Sequence, residues 1–202
     1  MRRLTVTTSL TLDGVMQAPG RTDEDPRGGF RYGGWGLPYP DAVMMQAMGE
    51  GMSQGADLLF GRRTYLDFFN VWPKRSNNPF TAILDNARKY VASNTLADPL
   101  PWQNSTLLSG DAADTVARLK ASPGKDITVL GSGDLLQTLI RKRLVDQFVL
   151  LIHPLVLGSG RRLFADEGDH AALQLLKTVP TTTGVIIATY AYAPLSHRDL
   201  SA

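Results

Sequence analysis

The chain begins with alternating residues and then changes to helical spacing. Residues 2–12 alternate between apolar and β-branched polar positions, which predicts a strand. Residues 17–40 hold many of the glycines and prolines and show no period, so they predict a long irregular segment of the kind that forms lids and binding loops. Asp41 then precedes apolar residues at helical spacing, which predicts a capped helix running to about residue 54.

Short apolar runs and amphipathic segments alternate along most of the chain. Strands are predicted at residues 2–12, 56–60, 89–93, 105–108, 126–130, 147–152, 172–179 and 183–192. Helices are predicted at residues 41–54, 63–69, 79–86, 111–121 and 133–142. The last two strands follow each other without a helix and predict an antiparallel hairpin.

This order predicts the architecture of the domain. We expect an α/β fold of three layers, with a mostly parallel mixed sheet, helices on both faces and an antiparallel C-terminal hairpin. A single domain is expected over residues 1–194, followed by a polar tail over residues 195–202.

Composition excludes several classes of function. The 202 residues are 43% hydrophobic and 20% charged, as in a globular protein, and the net charge is only +2. So small a charge predicts no nucleic-acid or membrane partner. The absence of cysteine excludes disulfides and cysteine-based sites, and three widely spaced histidines predict no metal site. With no apolar run of the roughly 18 residues that a membrane span needs, a cytoplasmic location is expected.

Three predicted strands end in small, polar or basic residues. These ends are Phe-Gly-Arg-Arg-Thr at 60–64, Ala-Ser-Asn-Thr at 92–95 and Leu-Gly-Ser-Gly-Asp at 130–134. Because ligands bind beyond the carboxyl ends of parallel strands, we expect the three loops to line one crevice.

The glycines at 131 and 133 let the backbone approach a ligand, and the helix that starts there offers free N–H groups to a pyrophosphate. Leu136 breaks the GxGxxG fingerprint, so this motif taken alone favours a plain strand-to-helix turn over a phosphate-binding one. Arg62 and Arg63 are placed to bind a phosphate, or else to start a solvated helix. Together the three loops favour a dinucleotide with an extra phosphate, which is NADPH rather than NADH.

The order of these motifs resembles that of a known superfamily. The matching segments are SLTLDG at 9–14, FGRRTY at 60–65, YVAS at 90–93, VLGSG at 129–133 and HPLVLGSGRRLF at 153–164. The chain resembles the dihydrofolate reductase-like superfamily, and most of all the reductase-type domain of bifunctional riboflavin-biosynthesis proteins and its stand-alone relatives. The resemblance covers nearly the whole chain, from about residue 3 to about residue 192.

The resemblance implies a dihydrofolate reductase-like fold, a homodimer, and hydride transfer from NADPH to a small heterocyclic substrate, pterin-like or ribosylaminopyrimidine-like. The cofactor site that it implies consists of Ser9, Met16, Gly61, Arg62, Arg63, Thr64, Ser93, Asn94, Gly131, Ser132, Gly133, Asp134 and Leu135. In this assignment residues 62–64 with Ser93 and Asn94 hold the adenosine and its 2′-phosphate, and residues 131–135 hold the pyrophosphate and ribose. The backbone of Ser9 and the loop of residues 13–16 flank the nicotinamide carboxamide in the same assignment.

The substrate side is less defined. Asp13 is the candidate catalytic or substrate-orienting residue, although Asp-Gly is also an ordinary turn pair. Trp35 either forms a wall of the cleft or anchors the long loop, and Arg161 either binds a substrate phosphate or simply lies in a turn of the chain. His153 is expected in the core or at an interface rather than as a proton donor, and the methionines of the first helix are expected to pack.

Two other functions stay open at this point. The sequence also fits a non-catalytic nucleotide-binding dimer on the same fold. It is also consistent with a structural dimer module built on the edge strands of residues 146–192.

Overall fold

The computed structural model describes residues 1–53, 55–76, 78–164 and 170–193, so the predicted tail and the predicted end of the first helix at residue 54 lie outside the described residues. Its strands are β1 (Leu4–Thr11), β2 (Asp57–Gly61), β3 (Lys89–Ala92), β4 (Ser105–Leu108), β5 (Ile127–Leu130), β6 (Gln147–His153), β7 (Leu173–Pro180) and β8 (Ile186–Tyr192). Its α-helices are α1 (Ala42–Ser53), α2 (Arg62–Val71), α3 (Pro79–Asn86), α4 (Ala112–Ala121) and α5 (Gly133–Arg141). Each element coincides with a predicted one to within a few residues.

The strands form one mixed sheet in the order β4-β3-β2-β5-β1-β6-β8-β7. The six strands from β4 to β6 run parallel to one another, and β8 is antiparallel to both β6 and β7. The predicted parallel sheet with an antiparallel C-terminal hairpin is therefore confirmed. The central strand β1 has β5 on one side and β6 on the other, so the carboxyl ends of these three strands meet at one edge.

The alternation of β1 separates the two faces of the sheet. Leu4, Val6 and Leu10 pack into the main core, which includes apolar residues of α4 and α5. Because successive side chains of a strand point to opposite faces, Thr7 and Ser9 lie on the other face. That face carries two smaller clusters, one with α2 and α3 and the other with α1. Helices on both faces complete the three predicted layers.

Local signals in the sequence set several element ends. The Asp111 carboxylate accepts hydrogen bonds from the backbone N–H groups of Ala113 and Asp114 and caps α4 as predicted. The strand predicted from residue 183 begins only at Ile186, because Gly184 adopts a left-handed conformation (φ +86°) in a turn before it. None of the helices in the described ranges is long and apolar enough to span a membrane.

Candidate functional site

A cavity of about 730 Å³ opens on the face of the sheet that carries α1, α2 and α3. Thr7 and Ser9 of the central strand line it, together with Leu130 from the end of β5 and Leu151 from β6. The side chains of Thr7 and Ser9 are small, so they leave space between the sheet and the helices that large apolar side chains would have filled. The cavity therefore lies at the carboxyl edge of parallel strands, where open α/β sheets bind ligands.

The turn between β5 and α5 forms one wall of the cavity. Gly131 (φ +55°) and Ser132 (φ +67°) both adopt the left-handed conformation, which is rare for a residue with a side chain. The Ser132 N–H donates to Thr64 Oγ1 at 3.0 Å, and the Gly61 N–H donates to Ser132 Oγ at 3.0 Å. These two bonds join the turn to the β2–α2 junction, so two of the predicted loops form a single wall.

The first turn of α5 follows directly on this wall. Gly131 and Gly133 both line the cavity, and a Cβ at Gly133 would lie 3.5 Å from Met16 Sδ. A side chain at residue 133 would therefore occupy the space between the helix and Met16. Because the first N–H groups of a helix have no intrahelical acceptor, this edge suits an anionic group such as a diphosphate.

Three arginines from different parts of the chain surround one carboxylate beside that helix terminus. Arg161 donates to Asp134, Arg63 Nη1 lies 3.5 Å from Asp134 Oδ2, and Arg27 Nη1 lies 3.9 Å from the same oxygen. Asp25 pairs with Arg27, its Oδ1 accepting from Arg27 Nε at 2.6 Å. Three guanidinium groups against two carboxylates leave an excess of positive charge at this end of the cavity.

The other end of the cavity is apolar and contains a buried histidine. Met44 and Leu151 line it and belong to one small core cluster. His153 lines it as well, with only 2% of its surface exposed. Burial lowers the pKa of His153 to about 4, so the imidazole is neutral at neutral pH. The cavity thus has a cationic end and an uncharged end.

Acidic residues form part of the wall between the long irregular segment and α2. Arg21 binds both oxygens of Asp67, at 2.5 and 3.1 Å, and so ties the segment to the helix. The Glu24 carboxylate accepts from the N–H groups of Gly20 and Arg21. Burial, with the neighbouring charge of Asp67, raises the pKa of Glu24.

The cavity brings together part of the predicted site. The predicted residues that line it are Ser9, Met16, Arg63, Thr64, Gly131, Ser132, Gly133 and Arg161. Those outside its wall are Asp13, Trp35, Gly61, Arg62, Ser93, Asn94, Asp134 and Leu135. Several of the second group still contact the wall: Gly61 through Ser132, Asp134 through Arg161, and Trp35 through the ring of His153 at 5.0 Å.

Asp13 holds two loops together at the end of β1. Its carboxylate accepts from Thr11 Oγ1 at 2.6 Å and from the N–H groups of Leu157 and Gly158 at 3.2 and 2.8 Å. The hydrogen bond from Thr11, followed by those from the backbone, lowers the pKa of Asp13. An ionised carboxylate held in this way fixes the loop after β6 against the turn after β1.

Three of the predicted phosphate-binding residues after β2 and β3, namely Arg62, Ser93 and Asn94, lie beyond the cavity. Arg62 is an exposed residue at the start of α2. Ser93 Oγ accepts from the N–H groups of Thr95 and Leu96 and forms a turn, and Asn94 Oδ1 accepts from the Gly110 N–H at 2.6 Å. Leu135, in contrast, is buried in the main core.

Sequence reasoning did not find several polar residues of the wall. Gln17, Glu24, Arg27 and Asp67 line the cavity. Three of these four lie in the irregular segment 17–40. The charged residues clustered in that long loop were the one sequence feature that could have indicated a binding wall. Within the described residues, His, Asp and Glu side chains form no group of three that could hold a metal ion.

Comparison with known proteins gives relatives along most of the chain. The family described as the RibD C-terminal domain matches residues 2–187. The chain is 29% identical over 196 residues to the uncharacterized protein YyaP of Bacillus subtilis (strain 168), an alignment that covers 94% of each protein. It is 30% identical over 76 residues to the uncharacterized protein YwjB of the same organism, covering 38% of this chain and 44% of YwjB.

Solved structures share the fold at low sequence identity. A putative riboflavin biosynthesis protein from Shewanella sp. PV-4 superimposes with a TM-score of 0.66 and 21% identity, over 95% of this chain and 99% of that one. RibD of Acinetobacter baumannii superimposes with a TM-score of 0.61 and 12% identity. The superposition covers 96% of this chain but only 59% of the RibD chain. With the family match over nearly the whole length, the chain belongs to the RibD C-terminal domain family.

Proposed function

We propose that this protein is an NADPH-dependent reductase that acts on a small heterocyclic substrate of the pterin or ribosylaminopyrimidine type. The observation that carries the proposal is the cavity at the carboxyl edge of the sheet, with guanidinium groups and a helix N-terminus at one end and apolar residues at the other. Membership of the RibD C-terminal domain family supports the same class of chemistry.

The cationic end fits the phosphates of a dinucleotide. Arg27, Arg63 and Arg161 would bind the diphosphate, together with the N–H groups at the start of α5. Gly131 and Gly133 keep this edge free of side chains, so the backbone is able to approach the ligand closely. The exposed Arg62, with Thr64, Ser93 and Asn94, would recognise the 2′-phosphate.

The remaining residues would arrange the reaction. NADPH, when bound, supplies a hydride to an electrophilic carbon of the substrate, and a proton completes the reduction. Ser9 and Met16 would flank the nicotinamide, and the apolar side chains of Met44 and Leu151 would exclude water from the reacting groups. Asp13 would act from outside the cavity by fixing the loop that carries Arg161.

Titration of cofactor fluorescence tests the first half of this proposal. NADPH is expected to bind more tightly than NADH, and Arg63→Ala to weaken NADPH binding about tenfold through loss of a charge-assisted contact. Arg118→Ala is the matched control, because this arginine is exposed on α4 at the opposite face of the sheet. Equal affinity for both cofactors, or equal effects of the two substitutions, would contradict the assignment.

Consumption of NADPH with a panel of dihydropterins and ribosylaminopyrimidines tests the second half. Turnover with one of them supports the reductase. Tight NADPH binding without turnover across the panel would favour the alternative, a non-catalytic nucleotide-binding protein. The homodimer and the cytoplasmic location stay predictions, and light scattering measures the oligomeric state.

A further inference from the structure

The strand β6 ends on a histidine at the uncharged end of the cavity. His153 pairs in register with Thr11 of β1, and Leu151, two residues earlier, pairs with Ser9. Residues two apart on a strand share a face, so His153 lies on the same face as Ser9 and Leu151, which both line the cavity. The imidazole is therefore part of the cavity wall beside the central strand.

Both ring nitrogens of this histidine are buried and unpaired within the part of the chain that the structure describes. Nδ1 and Nε2 of His153 are both buried, and neither makes a hydrogen bond to any residue that the structure describes. Buried polar atoms are nearly always hydrogen-bonded, because an unpaired one loses its contacts with water and gains nothing in return. A neutral imidazole offers one N–H donor and one acceptor, and no described residue of this protein uses either.

Two aromatic residues cover the imidazole. The rings of Trp35 and Tyr39 each lie 5.0 Å from His153, edge to face, at interplanar angles of 90° and 82°. Both belong to the irregular segment 17–40, which also contributes Gly36, Leu37 and Pro40 to the cavity wall. The Trp35 N–H donates to the Gln17 carbonyl, so it is not available to the imidazole. The two rings thus cover the imidazole of His153 without forming a hydrogen bond to either of its nitrogens.

We propose that His153 is a substrate-binding residue that exchanges hydrogen bonds with the polar edge of an uncharged ring when the segment carrying Trp35 and Tyr39 turns aside. The proposal rests on the proposed function in taking this cavity as the substrate site, and it adds the group that fixes the substrate in it. Such a ligand carries both a donor and an acceptor, because the neutral imidazole presents one of each. Met44 and Leu151 would pack against the faces of the ring.

His153→Phe is the sharpest test. Phenylalanine keeps an aromatic ring against Trp35 and Tyr39 but removes both unpaired nitrogens, so the variant is expected to unfold at a higher urea concentration than the wild type. Uracil is the probe, since its small uncharged ring has N–H donors and carbonyl acceptors, and benzene is the apolar control. With NADPH present at saturation, the variant should bind uracil about tenfold more weakly and benzene at least as well.

His153→Gln provides the second comparison, because its amide restores one donor and one acceptor and should recover part of the uracil affinity. The proposal is overturned if uracil does not bind the wild type, if His153→Phe binds it as tightly, or if that variant is less stable than the wild type. Cofactor titration of the same samples separates the two ideas. Failure of the wild type to bind NADPH would count against the reductase. Normal NADPH binding by both proteins, with the same uracil affinity in His153→Phe as in the wild type, would count against the role of His153 alone.

Discussion

Replacing Gly131 by alanine tests whether the turn between β5 and α5 shapes the cofactor site. Gly131 has φ +55°, and a Cβ there would lie 3.2 Å from Thr64 Cγ2. A left-handed conformation costs a residue with a Cβ about 1–2 kcal/mol, and the close contact adds to this. The free energy of unfolding is therefore expected to fall by at least about 1–2 kcal/mol, measured by urea denaturation.

The same substitution should also weaken cofactor binding. Thr64 Oγ1 accepts the Ser132 N–H at 3.0 Å, so an alanine that displaces Thr64 moves the turn as well. Both Thr64 and Ser132 line the cavity, and the N–H groups at the start of α5 follow them. We expect NADPH affinity to fall about tenfold, which corresponds to about 1.4 kcal/mol. Fluorescence titration measures this loss on the samples used for denaturation.

Two other glycines serve as controls. Gly133 has no left-handed backbone, and an added Cβ would meet the flexible end of the Met16 side chain, with Sδ at 3.5 Å and Cε at 3.9 Å. Gly133→Ala should therefore weaken NADPH binding without the loss of stability. Gly49 lies inside α1 with nothing within 4 Å of an added Cβ, and Gly49→Ala should gain about 0.5–1 kcal/mol of stability and bind NADPH normally. A Gly131→Ala protein as stable as the wild type, or one destabilised with unchanged NADPH affinity, would contradict the role assigned to this turn.

Three further predictions follow from charged and buried groups. Asp134→Asn should tighten NADPH binding several-fold at low salt, because it removes the carboxylate that competes with the cofactor phosphates for the guanidinium groups. Arg161→Ala should weaken NADPH binding. Changes of the same sign for the two variants in cofactor titration would contradict this prediction. Arg2→Met breaks the buried ion pair with Asp57 (2.5 Å) and leaves the carboxylate buried without its partner. The free energy of unfolding in urea denaturation should therefore fall by about 3–5 kcal/mol, and a loss below about 1 kcal/mol would contradict this prediction. Because burial lowers the pKa of His153 to about 4, the unfolded chain takes up this proton first as pH falls. The wild type should therefore lose up to about 3 kcal/mol more stability between about pH 6.5 and 4 than His153→Phe, and parallel pH profiles of the two proteins would argue against it.

The elements of the fold could be predicted because their signals are local. The alternation over residues 2–12 marked the central strand, and Asp111 and Asp41 marked the starts of two helices by hydrogen-bonding to nearby backbone N–H groups. Such signals depend on neighbours in the chain, whose geometry the backbone already constrains. The start of β8 was misplaced by three residues because a left-handed Gly184 leaves no mark in the hydrophobic pattern.

Part of the candidate site could also be predicted, since parallel strands place their carboxyl ends at one edge. That rule alone brought Thr64 and Gly131 to the same cavity. It did not bring Arg27, which joins them through a loop whose path no period describes. Arg27 and Asp134 are far apart in the sequence, and only the folded loop sets the distance between them.

Periodicity and chain order were sufficient to predict the succession of strands and helices along the chain, the mostly parallel sheet and the loops at the strand ends. Which side chains face the cavity, and what each of them contacts, follows only from the folded arrangement of the elements. That arrangement turned Asp13 away from the cavity to hold two loops, and it buried His153 beneath two aromatic rings with neither nitrogen bonded to a described residue. Burial and hydrogen bonding depend on residues distant in sequence, so they become definite only when the chain has folded.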